Sequence, residues 1–418
     1  MMPVVLWSDA LLFLLLLAAV GLGWWSRRQE HLRLAWSRVA RDPAAMAAAT
    51  LLAAFVAVGV LDSLHYRAAL PAEAGKPAVY AVEVNSALDA LLMPLKVDTE
   101  KTYSAPMAVR LFAKESIEGE VGRDFPRLRY GGAELGDDLA RYPADVFGRA
   151  ASGFGLGLAL WGIAWLLCLP LRRRRTGVAW NAVLAALFAL CLLGGPVAGL
   201  AGHYHVLGTD KVGQDVLYLS LKAIRTGLLI GTLTTLIMLP AAVLLGILAG
   251  YVGGWVDDII QYLYTTLNSI PGVLLIAAAV LMMQVVIDNH PSWFPTGAER
   301  ADARLLALCA ILGVTSWTGL CRLLRGEALK LREADYVQAA RAFGVSRLAV
   351  MLRHILPNVM HIVMISVVMD FSGLVLAEAV LSYVGVGVDP NTISFGTMIN
   401  AARMELAREP MVWWSLAA

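Results

Sequence analysis

Two sets of polar residues in this 418-residue chain could do chemistry. His203, His205 and Asp210 carry the imidazole and carboxylate groups that bind metal ions in proteins. Asp370 and Glu378 lie inside a long apolar run, where an ionisable side chain is costly and is therefore a candidate for function. Because they are eight residues apart, they lie within about 80° of each other around a helix. Both could face a cavity or a neighbouring helix, or Glu378 could simply bond a backbone amide.

Other kinds of active site are not indicated. The sequence has no phosphate-binding loop of the form G-x-x-x-x-G-K-[ST], since Gly75 and Lys76 precede Pro77 and lack the upstream glycine. No nucleophile, base or metal constellation of an enzyme is evident, and we expect neither a catalytic residue nor a bound metal. The four cysteines lie in apolar runs, where we expect small apolar side chains rather than disulfides or zinc ligands: Cys168, Cys191, Cys309 and Cys321.

The composition is that of an integral membrane protein. Hydrophobic residues make up 59% of the chain and charged residues only 16%, and the mean hydropathy is +0.67. A soluble core does not need so much apolar sequence. The formal net charge of +2 indicates no nucleic acid partner.

Eight stretches are long and apolar enough to cross a bilayer core of about 30 Å as helices. The predicted spans are 10–26, 43–61, 150–171, 176–202, 226–256, 259–287, 305–321 and 355–388, and a ninth begins at Met411. The basic residues of the first span follow its apolar run, so we expect it to remain in the protein rather than to be cleaved as a signal peptide. Pro240 and Pro271 are predicted to kink their helices.

Clusters of arginine and lysine predict the orientation of these spans. They crowd the connections 27–41, 172–175 and 322–353, which the positive-inside rule places in the cytoplasm. The connections 62–149, 203–225, 288–304 and 389–410 then lie outside, as does the N-terminus. The four arginines Arg172, Arg173, Arg174 and Arg175 are expected to anchor this topology, and a lipid-binding or regulatory patch is the alternative.

Glycines in the fifth span recur at a spacing that lets helix backbones approach closely in lipid. They are Gly227, Gly231, Gly246, Gly250 and Gly254. The outside segment 62–149 is long enough for a small domain, and the alternation in residues 79–84 predicts one strand within it.

A polar interruption at 322–357 predicts two short helices joined at an elbow. Tyr336, Ala340 and Phe343 share one helical stripe. Gly344 can take the left-handed conformation that ends a helix, and Ser346 can cap the next one. Such an elbow fits a groove on another protein.

The elbow resembles the E-A-A-x-x-x-G…L-P loop of ABC importer permeases, which docks in a cleft of the ATPase subunit. Gln338 stands where the family has Glu, and His354 stands where many members have Ile. The coupling residues that this resemblance implies are Arg332, Glu333, Asp335, Tyr336, Gln338, Ala339, Ala340, Arg341, Phe343, Gly344, Leu356 and Pro357.

Four other segments resemble the dipeptide/oligopeptide/nickel class of these permeases. They are 208–216, 250–257, 353–358 and 376–387, and the first of them has Gln214 where the class has Arg. In the class, this region is a structural element of the outer surface, and that role is favoured over a metal site for His203, His205 and Asp210. The outer-surface residues that the resemblance implies are Gly208, Thr209, Asp210, Gly213 and Asp215.

The resemblance implies an all-α membrane protein, a polytopic helical bundle of ABC importer type with a small extracytoplasmic insertion. Its parts are an extra N-terminal span with a basic segment (1–42), the first family span (43–61), the outside segment (62–149), an inserted two-helix hairpin (150–202) and the permease core (203–418). The family continues with a final helix after Met411, so we expect the sequence to be incomplete there.

The implied function is a permease subunit for peptides or a similar small solute in a bacterial inner membrane. The implied partners are a second permease, two ATPase subunits that bind ATP and Mg²⁺, an external substrate-binding protein and the lipid bilayer. No cofactor is expected in this chain. The alternative is a secondary transporter driven alone by an ion gradient, which would need paired charges across spans and an inverted repeat.

Overall fold

The computed structural model describes residues 2–70, 80–116, 123–136, 138–174, 177–294, 296–389, 392–406 and 409–418. The helices are α1 Trp7–Ser26, α2 Glu30–Arg41, α3 Pro43–Ser63, α4 Ala87–Leu91, α5 Met93–Val97, α6 Tyr142–Arg174, α7 Trp180–Ala201, α8 Val216–Val252, α9 Trp255–Ser269, α10 Gly272–Asn289, α11 Gly297–Arg332, α12 Asp335–Ala342, α13 Arg347–Val350, α14 Leu356–Tyr383, α15 Phe395–Leu406 and α16 Trp414–Ala417. The strands are β1 Met2–Val4, β2 His65–Arg67, β3 Asn85–Ser86, β4 Glu115–Ser116 and β5 Arg123–Asp124.

Eight helical segments of the described residues are long and apolar enough to cross a membrane. They are α1, α3, α6, α7, α8, α10, α11 and the continuous segment Arg347–Tyr383. The predicted class, an all-α polytopic membrane protein, is confirmed. Helices dominate because a helix satisfies every backbone donor and acceptor of a span within the span itself.

The sixth predicted span differs from its prediction. Instead of one helix over 259–287, the structure has α9 and α10, which are separated at Ile270 and Pro271. Pro271 therefore separates two helices rather than kinking one, because proline lacks the donor that would continue α9. Pro240 lies inside α8. At the end of the chain, α16 is a four-residue helix.

The chain forms two compact units, one of Met1–Thr226 with Ile393–Ala418 and the other of Gly227–Thr392. In the first unit, β1 pairs antiparallel with β2, and β2 pairs with β3. The start of α1 and the end of α3 therefore lie on the same side. This agrees with the predicted topology, in which the N-terminus and segment 62–149 share one side of the membrane.

A buried ion cluster fixes the extra helix α1 to its neighbours. One oxygen of Asp9 lies 2.6 Å from Nη2 of Arg225, and the other lies 2.7 Å from Nδ1 of His65. Asp9 is fully buried. Since a buried charge is tolerated only when it is paired, these contacts define how α1 packs against α8 and the end of α3.

The strand predicted over residues 79–84 is wrong where the structure describes it. Tyr80 forms only an isolated bridge with Ala69, and residues 81–84 form no strand. Val79 lies outside the described residues. An extended segment becomes a strand only when a partner continues alongside it, and here the pairing stops after one bridge.

Glycines allow the hairpin of α6 and α7 to pack backbone against backbone. A Cβ atom on Gly195 would lie 2.6 Å from the carbonyl oxygen of Gly153, and one on Gly199 would lie 2.6 Å from that of Arg149. A Cβ on Gly157 would collide with the carbonyl oxygen of Cys191. Small residues thus build this interface, as expected in lipid, although only the glycines of α8 were predicted to pack in this way.

The hairpin gives a matched test. We expect Gly157→Leu to lower the melting temperature, because the side chain must push α6 away from α7 at a cost of about 1–3 kcal/mol or more. Gly155→Leu is the control, since a Cβ at Gly155 meets nothing within 4 Å. Size-exclusion chromatography and thermal melting in detergent measure both variants, and equal melting temperatures would contradict the packing described.

Candidate functional site

The elbow consists of α12, a tight turn and the helical segment that leads into α14. The amide of Val345 donates to the carbonyl of Ala340 at 3.1 Å, and that of Gly344 donates to Arg341 at 3.0 Å. Gly344 has a φ of +79°. These are the bonds of a helix end closed by a left-handed glycine, and the predicted end of the first short helix is confirmed.

The second helix begins as predicted. The side-chain oxygen of Ser346 accepts the amide of Ala349 at 3.4 Å and so caps α13. A π-helical turn over Met351–Ile355 then joins α13 to α14. Because α13, this turn and α14 form one helical segment, the elbow is continuous with a membrane span.

The elbow is anchored by apolar side chains that the sequence analysis did not single out. Val337, Val350 and Ile355 are fully buried in a cluster that continues into α8, α9, α11 and α14. Val337 lies one residue, or about 100°, around the helix from the predicted stripe of Tyr336 and Phe343. The apolar side chain of Val337 was the sequence signal that could have predicted its burial. A helix as short as α12 has too few turns for the pattern of apolar residues to identify its buried face.

The opposite face of α12 is open to solvent. Phe343 is 88% exposed and Tyr336 is 44% exposed. The other exposed members of the predicted coupling set are Glu333, Asp335, Gln338, Ala339, Arg341, Gly344 and Pro357. Leu356 and Ala340 are partly buried against the core. An exposed phenylalanine beside charged residues is the usual make-up of a docking surface.

Two departures from the family motif have local partners in this structure. The Gln338 amide donates to the carbonyl of Arg332 and to Oε2 of Glu333, both at 3.2 Å. A glutamate at 338 would lack this donor and would bring a second carboxylate beside Glu333. The ring of His354 lies 6.3 Å from that of Tyr336, so it packs against the exposed face of the elbow.

The helices that carry the elbow are held together at close range. A Cβ atom on Gly246 would lie 2.7 Å from the carbonyl oxygen of Cys321, and one on Gly250 would lie 2.5 Å from that of Arg325. The guanidinium group of Arg325 donates twice to Asp257, at 2.6 and 2.7 Å. Such bidentate pairs fix orientation as well as distance. The joined ends of α8, α9 and α11 therefore form a stiff base for the elbow.

Two other glycines of the predicted α8 stripe do not pack against the backbone of another helix. Gly231 lies against the ring of Phe371, where a Cβ would collide with it. Gly254 has a φ of +58° and begins α9 with open space around it. The packing role predicted for Gly254 is therefore wrong, because α8 ends at Val252.

The two ends of the outer element 208–216 are buried, and Thr209 and Gly213 lie against the inserted segment. Thr209 is fully buried; its Oγ1 accepts the amide of Ser104 at 2.7 Å and donates to the carbonyl of Thr102 at 2.9 Å. Gly213 has a φ of +78° and packs against the backbone of Glu100. Asp215 caps α8 by accepting the amide of Leu217 at 2.8 Å. The sequence indicated none of the contacts with residues 100–104, which are distant in the chain.

His205 lies between two carboxylates in this element. Its Nδ1 donates to Asp215 at 2.8 Å, and its Nε2 lies 3.5 Å from Glu100, a separation that makes an ion pair but at most a weak hydrogen bond. Burial alone opposes its charge, yet these carboxylates raise the pKa of His205 to about 9.

Glu100 links this cluster to the rest of the insertion. Burial alone would raise its pKa, but His205 and the backbone amides of Arg129, Gly131 and Tyr130 lower the pKa of Glu100 to about 2. The three amides lie 2.8 to 3.0 Å from its carboxylate. The charged pair therefore holds segment 129–131 against the outer element.

The structure does not bring together the remaining residues that the sequence suggested as metal ligands or cavity residues. His203 faces Glu134 at 3.1 Å, whereas Asp210 accepts the amides of its own turn, those of Val212 and Gln214. No group of three potential metal ligands occurs among the described residues. Glu378 is buried and accepts the hydroxyl of Ser382 at 2.7 Å. Asp370 is partly exposed, so its role in a cavity stays a prediction.

The buried histidine predicts a pH dependence of stability. A raised folded-state pKa stabilises the protein fully below the unfolded value near 6.5, and this contribution is lost as the pH rises through about 9. We expect His205→Gln to lose on the order of 2 kcal/mol at pH 6 and to melt at nearly the same temperature from pH 6.5 to 9, unlike the unmodified protein.

His203→Gln is the matched control, because the side chain of His203 is 38% exposed and its partner Glu134 is 63% exposed. Its melting temperature should follow that of the unmodified protein across the whole pH range. A similar loss in both variants would contradict the special role of His205.

Comparison with known proteins finds a family model that covers the elbow. Residues 242–417 match the family model described as the binding-protein-dependent transport system inner membrane component. The match includes α9 to α15 and thus the whole elbow.

Several permeases are similar to this chain. The oligopeptide transport system permease protein of Mycobacterium tuberculosis is 31% identical over 198 residues, 47% of this chain and 62% of the relative. The dipeptide transport system permease protein of Lactococcus lactis is 30% identical over 196 residues, 47% of this chain and 52% of the relative. The glutathione transport system permease protein of Pectobacterium atrosepticum is 30% identical over 208 residues, 50% of this chain and 63% of the relative.

The chain thus spans less than two thirds of the length of these relatives. The motifs, the elbow geometry and the family match nevertheless point to one conclusion. Through residues 242–417, this multi-pass membrane protein is similar to the family of binding-protein-dependent transport system inner membrane components.

Proposed function

We propose that this chain is a transmembrane permease subunit of an ATP-binding-cassette importer and forms half of its translocation pathway. The observation that carries the proposal is the elbow, whose buried side is continuous with the core of the spans and whose other side exposes Phe343 and the charged residues of α12. This combination suits a surface that receives force from a soluble partner.

The proposed mechanism moves the elbow and its helices as one body. ATP-driven closure of the partner ATPases would displace α12, and the displacement would pass through Val337 to α11 and along the continuous helical segment to α14. The Asp257–Arg325 pair and the glycine contacts of Gly246 and Gly250 resist bending at this end. Rigid tilting of the spans would then open the pathway alternately to each side.

The proposed partners are those of a binding-protein-dependent importer. They are a second, similar permease, two ATPase subunits and an extracytoplasmic substrate-binding protein, in a bacterial inner membrane. ATP and Mg²⁺ would bind to the ATPase subunits, and this chain would catalyse no reaction itself. The proposed cargo is a peptide or a similar small solute, as the names of the oligopeptide, dipeptide and glutathione relatives suggest.

Crosslinking tests the proposed docking. We expect Phe343→Cys, at a position that is 88% exposed on α12, to form a crosslink with a cytoplasmic ATPase when a short bifunctional thiol–amine reagent is added to membranes. Val82→Cys is the control, because Val82 is 85% exposed in the predicted outside segment. If Phe343→Cys captures no ATPase under conditions in which the importer is active, the docking role is wrong.

A charge introduced on the exposed side of α12 tests the proposed coupling between this chain and the ATPase. We expect Ala339→Arg to reduce both the copurifying ATPase and substrate-stimulated ATP hydrolysis by about tenfold, because a buried, unpaired charge in an interface is costly. Val82→Arg should leave both unchanged. Normal membrane insertion and melting temperature would show that Ala339→Arg is folded. Uptake that continues after loss of every copurifying ATPase would instead support the secondary transporter.

A further inference from the structure

Helix α2 has a polar and an apolar face, although it lies between two spanning helices. Leu32, Trp36 and Val39 share its apolar side, whereas Arg33 and Arg38 lie on the other side. Trp36 is 61% exposed and Val39 is 47% exposed. An apolar face that the protein leaves uncovered needs another apolar environment.

The position of α2 identifies that environment as the membrane interface. Its twelve residues connect the ends of α1 and α3 on the side predicted to be cytoplasmic. A short amphipathic helix in this position lies along the membrane, with its apolar side toward the acyl chains and its basic side toward the headgroups. Tryptophan is enriched at that depth because its ring is apolar and its N–H is polar.

The inserted hairpin brings a second group of arginines to the same place. The amide of Ala179, in the turn between α6 and α7, donates to the carbonyl of Ala40 at 2.8 Å. A Cβ atom built on Gly177 of this turn would lie 3.7 Å from Nε of Arg41. The end of α2 and the end of α6 therefore form one continuous surface. We define the basic surface as Arg28, Arg33, Arg38, Arg41, Arg172 and Arg173.

Few charges on the protein oppose this basic surface. Within the described ranges, none of its arginines forms an ion pair. Arg28 lies over the ring of Trp24 at 3.7 Å, and Arg172 donates to Asn181 at 2.9 Å. Nearby Asp42 already accepts the first amides of α3. The guanidinium groups of the basic surface are thus available to anions from outside the protein.

We propose that the basic surface binds the phosphate groups of anionic phospholipids in the leaflet on its side of the membrane. Guanidinium groups match phosphate with paired hydrogen bonds, and the uncovered apolar side of α2 provides the adjacent contact for acyl chains. A soluble phosphate compound would use only the first of these features. Helix α2, with the turn before it, and the end of α6 in the inserted hairpin together build this site.

Native mass spectrometry of the full chain in mild detergent tests the proposal. The probes are phosphatidylglycerol and phosphatidylcholine with identical acyl chains. We expect the unmodified protein to retain phosphatidylglycerol about tenfold more than phosphatidylcholine, and Arg38→Gln/Arg41→Gln/Arg173→Gln to reduce the ratio to about one. Arg173→Gln alone should lower the ratio partly and is the variant to use if the triple variant does not fold.

The control removes the same number of charges elsewhere. Arg110→Gln/Arg123→Gln/Arg141→Gln, in the predicted outside segment, should keep the preference for phosphatidylglycerol. Added glycerol phosphate distinguishes the source of the phosphate, since it should not displace the lipid from the unmodified protein. An unmodified protein without lipid preference, equal loss in both triple variants, or displacement by glycerol phosphate would each overturn the proposal.

Discussion

Close contact between the backbones of neighbouring helices is the constraint on which the rest of this protein depends. In lipid, apolar surface gains little by leaving the acyl chains, so helices associate through close packing and through a few polar bonds. Gly246 and Gly250 bring α8 against α11, and the Asp257–Arg325 pair attaches α9 to the same place. The elbow rests on this base, because Val337, Val350 and Ile355 continue its core. A loop without such a base could bind a partner but could not transmit a displacement.

In the added parts of the chain, buried charges also hold elements together. Asp9 joins α1 to Arg225 and His65, and Glu100 joins the outside segment to His205 and to three backbone amides. Each pairing is specific because an unpaired charge at these positions would be strongly unfavourable. The added parts are thus attached to the family elements at defined positions. Element 208–216 illustrates this arrangement, since part of it lies against the insertion.

The two proposed functions of this protein use two different surfaces. The exposed side of α12 is the proposed docking surface, and it rests on a close-packed base. The basic surface of α2 and α6 is the proposed lipid-binding surface, where many weak contacts with headgroups would add together. The first belongs to the region shared with known permeases, residues 242–417. The second is formed by residues before that region.

Much of this architecture could be predicted from the sequence because its signals are local. A run of apolar residues is sufficient to form a span, so the number and order of the eight predicted spans agree with the eight spanning segments of the structure, although the sixth is shorter than predicted. Gly344 and Ser346 act within one helical turn, so the elbow could also be derived from residue types alone. The resemblance to ABC importer permeases rests on the spacing of residues 338–357 for the same reason.

Tertiary structure alone decided which residues meet across long distances in the chain. The break at Pro271 was mistaken for a kink, because an apolar run does not reveal where a helix bond is lost. The buried side of α12 was set by a core built from four other helices, and so Val337 rather than Phe343 faces inward. Glu100 and His205 are 105 residues apart in the chain. The sequence by itself determined the spans and the elbow, whose bonds are local; only folding determined the charge pairs and close contacts, whose partners are distant.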